Sequence, residues 1–190
     1  MDNAILISSR VRPAGSLLTR TDPSDACPLH GADSAIYALT DFELDFPITV
    51  DMQVSIDDAL GDMERLGIHA LLVVSYGLSD QNTDVVGLVT AYAIERARHR
   101  WGARSLVSGS PGRVSVGYVM TPWDDLSLVK YESLRSLTAL EVYEMFQGTG
   151  LTHLLVVGTH SNGKSLVRGV LSRAAVAKRI GRAPRVAARP

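Results

Sequence analysis

Cysteine is nearly absent from this chain of 190 residues: Cys27 stands alone. Without a partner it excludes an internal disulfide and any cysteine-built metal cluster, and a reducing cytoplasm is the expected setting. Long apolar runs are missing too. None approaches the roughly 18 residues of a membrane span, so no membrane association is expected. The start, Met1 to Ile7, meets Arg10 and Arg12 before an apolar signal core can build up, so no leader peptide is expected. Aromatic residues make up only 6% of the chain. The histidines His30, His69, His99, His153 and His160 show neither a paired metal spacing nor a nucleophile motif beside them. No catalytic constellation can be assembled, and the chain is not expected to be an enzyme.

Charge of one sign is missing from each end of the fold. From Asp22 to Glu64 there are eleven acids and no Lys or Arg, whereas from Met145 to Pro190 there is no acid and eight basic residues. This polarity speaks of partners rather than of fold. It suits a homodimer in which the acidic region of one subunit meets the basic region of the other, head to tail. The basic end lacks interleaved aromatics, so nucleic acid is not the expected partner.

What is present is a repeat. Residues 1–40 carry turn formers, Pro13, Gly15, Pro23, Pro28 and Gly31, and no sustained period, so they read as an irregular lead-in. From there, Ser55 caps a helix in which Ile56, Ala59, Leu60 and Met63 share a face, and Gly67 stops it. Ala70 to Val74 and Val85 to Val89 read as short buried strands, followed by a helix from Thr90 to Arg100. The same order returns as a helix over Leu140 to Gln147, strands over His153 to Val157 and Val167 to Leu171, and a helix from Ser172 to Ile180. The run Gly67-Ile68-His69-Ala70-Leu71-Leu72-Val73-Val74 aligns without a gap on Gly150-Leu151-Thr152-His153-Leu154-Leu155-Val156-Val157, and Gly87-Leu88-Val89-Thr90 on Gly169-Val170-Leu171-Ser172. These boundaries give a lead-in over 1–40, a first repeat over 41–100, a linker over 101–116, a second repeat over 117–181 and a basic tail over 182–190.

The string from Gly158 to Ser165 fits the phosphate-cradling Gly-x4-Gly-Lys-Ser pattern. Such a loop must open a helix, and the residues after it, Leu166 to Leu171, read as a strand. A hairpin loop is therefore expected.

Each repeat, helix, glycine, strand ending in Val-Val, then Gly-hydrophobic-hydrophobic-Ser/Thr opening a helix, resembles the CBS domain family. So does Val119-Met120-Thr121-Pro122, of the kind that opens a repeat in that family. The resemblance covers about 47–181. It implies an α/β fold of two CBS repeats packed about a pseudo-twofold axis (a Bateman module). It also implies clefts that in many relatives take adenosine compounds such as AMP, ADP, ATP or S-adenosylmethionine, with no cofactor otherwise. Carried over residue by residue, it implies ligand contacts from Thr90 and Ser172, with Thr121, Val170, Arg173 and His153 beside them. His153 also fits a hydrogen-bonded structural role, and Thr90 and Ser172 also fit helix caps. The family's ribose-binding Asp is Ala93 in the first repeat and Ala175 in the second, and alanine accepts no hydroxyl hydrogen bond. What remains is a helix start and a hydroxyl, a setting for an anion, with Arg173 added in the second repeat only. Two readings stand: a regulatory module that senses a nucleotide-like anion for a protein effector outside this chain, and a dimerisation module with empty clefts.

Overall fold

The computed structural model describes residues 6–7, 12–13, 27–76, 83–105, 114–159 and 165–181. The basic tail, most of the lead-in before residue 27, and residues 160–164, which include His160 and Lys164, lie outside these. The chain divides into two compact units, and neither is one continuous stretch.

The first unit combines Phe46–Leu126 with the part of the lead-in that holds Arg12–Pro13. Strand β4 (Ile48–Asp51) runs parallel to β5 (Ala70–Tyr76), which pairs antiparallel with β6 (Thr83–Thr90), and β7 (Thr121–Pro122) closes the far side of β6. A short strand, β2 (Arg12–Pro13), lies parallel to β4. Helix α1 (Ile56–Leu66) starts as expected: the Ser55 hydroxyl accepts from the Asp58 amide, and Gly67 at φ 63° ends it. Helix α2 (Ala91–Ser105) follows β6 and runs five residues into the expected linker. Ile56, Ala59, Leu60 and Met63 of α1 join Leu71, Val73, Val89 and Ile94 in one buried core. Leu71 and Val73, alternate residues of β5 on one face of the sheet, and the 3.6-residue spacing that gives α1 one apolar face thus serve the same cluster.

The second unit combines 127–181 with 27–45 and β1 (Leu6–Ile7). Strand β8 (Leu128–Lys130) is parallel to β9 (His153–Thr159), which pairs antiparallel with β10 (Ser165–Ser172). Helices α3 (Tyr131–Ser136), α4 (Ala139–Thr149) and α5 (Arg173–Arg179) complete the repeat. Phe146, Leu134, Val142, Leu171 and Val176 are fully buried together. Thr159 pairs with Ser165 across the ends of β9 and β10, and a strand, not a helix, follows the Gly158–Ser165 string, of which residues 160–164 lie outside the described residues.

The last strand of this unit's sheet comes from the lead-in. Strand β3 (Thr40–Asp41), preceded by a 3-10 turn at Ala35–Ala38, pairs antiparallel with β10. Residues 34–42, Ser-Ala-Ile-Tyr-Ala-Leu-Thr-Asp-Phe, correspond position by position to 115–123, Ser-Val-Gly-Tyr-Val-Met-Thr-Pro-Trp, which hold β7. The hydrogen bonds agree. Ala35 N donates to Leu137 O at 2.8 Å, as Val116 N does to Val54 O at 2.8 Å; Ala139 N donates to Asp33 O at 2.8 Å, as Ile56 N does to Val114 O at 2.9 Å. Ser34 bridges Thr138, the cap of α4, as Ser115 bridges Ser55, the cap of α1. Each copy of this strap therefore precedes one repeat in sequence and completes the sheet of the other.

Candidate functional site

The residues expected to bind ligand fall into two groups, one in each unit. In the first unit Thr90 ends β6, and Thr121 of β7 pairs with Leu88, two residues before it. In the second, His153 and Ser172 are partners at the ends of β9 and β10, Arg173 follows at the first position of α5, and Val170 pairs with Leu155 on one side and Thr40 on the other. Thr40 thus occupies in the second unit the place that Thr121 holds in the first. The strap match was its signal in the sequence: the same Tyr-x-x-Thr stands at 37–40 and 118–121.

Both candidate hydroxyls are helix caps. Thr90 Oγ1 accepts from Ala93 N at 3.1 Å and Ser172 Oγ from Ala175 N at 3.4 Å. The amides of Ala91 and Arg173 are also taken, by His69 O at 3.0 Å and Thr152 O at 2.9 Å. The anion setting expected at these helix starts is therefore reduced, because the amides that would face an anion are bonded within the fold. Each hydroxyl keeps its own proton to donate. Ala93 and Ala175, which bring no carboxylate, offer only their amides to the cap. His153 is half-buried, with Nδ1 3.0 Å from Thr152 Oγ1, an arrangement consistent with the structural role. At these two helix starts the units differ in charge: the half-buried Arg173 stands where the first unit has Ala91.

A second charged feature was not legible in the sequence. Arg168 grips Asp41 through two parallel hydrogen bonds, Nε to Oδ1 at 2.8 Å and Nη2 to Oδ2 at 2.9 Å, pairs with Glu43 through Nη1, and lies 4.5 Å from the centre of the Tyr131 ring. Burial pushes the Asp41 carboxyl up, but the Arg168 hydrogen bonds, the Glu43 amide and the guanidinium charge outweigh it and hold it below the ordinary value. The hydrogen bonds it donates to Asp41 raise Arg168 above its own usual range. The two partners are 127 residues apart, so no local pattern could announce them.

Among the described residues no group of three His, Cys, Asp or Glu could hold a metal ion, and no helix is long and apolar enough to cross a membrane.

Comparison with known proteins matches residues 41–100 to the CBS domain model. No curated protein matches the chain. Among solved structures, a CBS-domain containing protein from Agrobacterium tumefaciens is similar at 22% identity, covering 78% of this chain and 93% of its own, with a TM-score of 0.52. An uncharacterised conserved protein from Pyrococcus horikoshii is similar at 19% identity over 84% of this chain and 100% of its own, also with a TM-score of 0.52. The CBS domain of a bacterial CNNM/CorC family Mg2+ transporter, solved in complex with ATP, is similar at 12% identity over 80% of this chain and 89% of its own, with a TM-score of 0.50.

Proposed function

Starting from a CBS-domain protein with the fold of tandem CBS repeats, we propose that this chain is a non-catalytic regulatory module that binds a small anionic, adenine-nucleotide-like ligand. The ligand class is AMP, ADP or ATP, with S-adenosylmethionine as a further candidate, and the response passes to a protein effector through a homodimer. The observation that carries the reading is Arg173 beside Ser172. The backbone environments of Thr90 and Ser172 are alike down to the same two amide bonds, so backbone geometry cannot favour one over the other. A guanidinium can: it offers a phosphate a bidentate, charge-assisted pair, and Ala91 offers nothing. The ATP complex of the transporter's CBS domain supports the class of ligand. Thr40, His153 and Val170 would line the same end of the second unit, with Thr90 and Thr121 forming the weaker counterpart in the first.

Calorimetric titration of the full chain with AMP, ATP and S-adenosylmethionine tests this. Arg173→Ala should weaken ATP binding at least tenfold, and Thr90→Ala by no more than about twofold. Equal losses, or binding indifferent to both substitutions, would show the anion site to be misplaced.

A second reading, a dimerisation module that binds no nucleotide, is favoured by Ala93 and Ala175 and by helix-start hydroxyls that already accept as caps. Native mass spectrometry separates the two, since a co-purifying nucleotide excludes it.

A further inference from the structure

We propose that Arg168 is an electrostatic latch that holds the strap, taken with its flanks as 27–45, in the second unit, and that this strap is thereby releasable by charge where its counterpart in the first unit, 114–126, is not. The two straps share Ser, Tyr and Thr at corresponding positions and the backbone hydrogen bonds made by Ala35 and Val116, and what distinguishes them is the fastening.

The fastening arises at a bulge. The β9–β10 register shifts between Val167 and Gly169 and leaves Arg168 as the extra residue; the β5–β6 register shifts at the same point and leaves Val86. A bulge re-aims the side chain it frees. At Val86 that side chain is partly buried against the apolar core, with Met52, Val119 and Met120 around the same cluster. At Arg168 it reaches Asp41 and Glu43 of the strap, which stand where the first unit has Pro122 and Asp124, and it covers Tyr131, which stands where the first unit has Met52. Arg168 and Asp41 keep 18% and 13% of their side chains exposed, so their attraction is little screened, whereas Glu43 at 53% is open to solvent. Arg168 also receives the Phe42 amide at its carbonyl, at 2.8 Å, which ties the strap backbone to the same residue.

A second arginine works at the other end. The Arg179 guanidinium donates to the carbonyls of Cys27 and Tyr37, and its own carbonyl accepts from Leu29 N at 2.8 Å. Among the described residues no ion pair joins 114–126 to the rest of the first unit. The acid-rich start of the chain and its acid-free end therefore meet within one unit, and the charge polarity of the sequence has an intramolecular use. Losing either partner of a part-buried pair leaves the other charge unmatched, which makes the docking both specific and conditional.

Hydrogen exchange of the full chain reads this directly, because the first unit's strap serves as an internal reference. Arg168→Gln and Asp41→Asn should each speed exchange at the Phe42 and Ala35 amides at least tenfold while Val116 and Gly117 stay within twofold. The double variant should exchange no faster than the faster single one, since both remove one interaction. In the unaltered protein 1 M NaCl should speed Phe42 exchange by a smaller factor, about two- to threefold, again sparing Val116; this holds even where a variant folds poorly. Unchanged protection at Phe42, additive effects, or equal acceleration of all four amides would overturn the proposal.

Discussion

A Cβ placed on Gly169 would lie 2.3 Å from the carbonyl oxygen of Thr40. The counterpart in the first unit behaves alike, since a Cβ on Gly87 would meet the Thr121 carbonyl at 2.5 Å. The shared glycine of the two repeats is therefore where each strap's backbone crosses a strand, and only a residue without a side chain lets them pair.

Gly169→Ala and Gly87→Ala should each destabilise the protein by about 1–3 kcal/mol, since backbone atoms cannot yield as a flexible side chain would. Gly61, inside α1, and Gly148, inside α4, have nothing within 4 Å of a built Cβ. Alanine at either should stabilise by about 0.5–1 kcal/mol through helix propensity. Urea denaturation midpoints of the four variants check the contrast, and a neutral Gly169→Ala would refute the close approach.

The latch predicts an acid transition. Asp41 is held below its ordinary 3.8 by Arg168, so its contribution is complete above that unfolded value and is lost as pH falls through the lower folded one. Asp41→Asn should therefore cost about 1–3 kcal/mol at neutral pH, and the difference from the unaltered protein should shrink only below about pH 4. Thermal melts from pH 7 to pH 2 measure it. A gap that closes near pH 6 would point to another group.

Helix α4 carries a reciprocal cap. Thr138 Oγ1 accepts from Glu141 N at 3.2 Å while Glu141 Oε2 accepts from Thr138 N at 2.7 Å. The Thr138 amide and then its hydroxyl hold the Glu141 carboxyl below the ordinary 4.5, so this support too is present above that value and fades as acid protonates it. Thr138→Ala should cost about 1 kcal/mol in denaturation, and Glu141→Gln should abolish the part of the acid dependence that Thr138 sets.

Much of this molecule was legible in its sequence because the signals are local. Apolar spacing at Ile56, Ala59, Leu60 and Met63, a hydroxyl cap at Ser55, the αL glycines 67 and 150, and Val-Val strands each express a preference of a few neighbouring residues. Their duplication then exposes the repeat and, through it, the resemblance to CBS domains. The short parallel strands β4 and β8 escaped notice, since three or four residues carry too little period to be seen.

The sequence by itself determined α1, α2, α4 and α5, the paired strands and the repeated fold, because those follow from backbone propensity and periodicity within a repeat, whereas the six-residue α3 is too short to show a period. Only the tertiary structure decided which strap completes which sheet. Residues 34–42 and 115–123 share Ser-x-x-Tyr-x-x-Thr and the backbone hydrogen bonds made by Ala35 and Val116, so that common pattern assigns neither to a repeat. That choice rests on Asp41 meeting Arg168 across 127 residues and on Val86 lying in an apolar core. Contacts of that kind exist only once the chain has closed upon itself, since their energy comes from groups brought together and not from the groups alone.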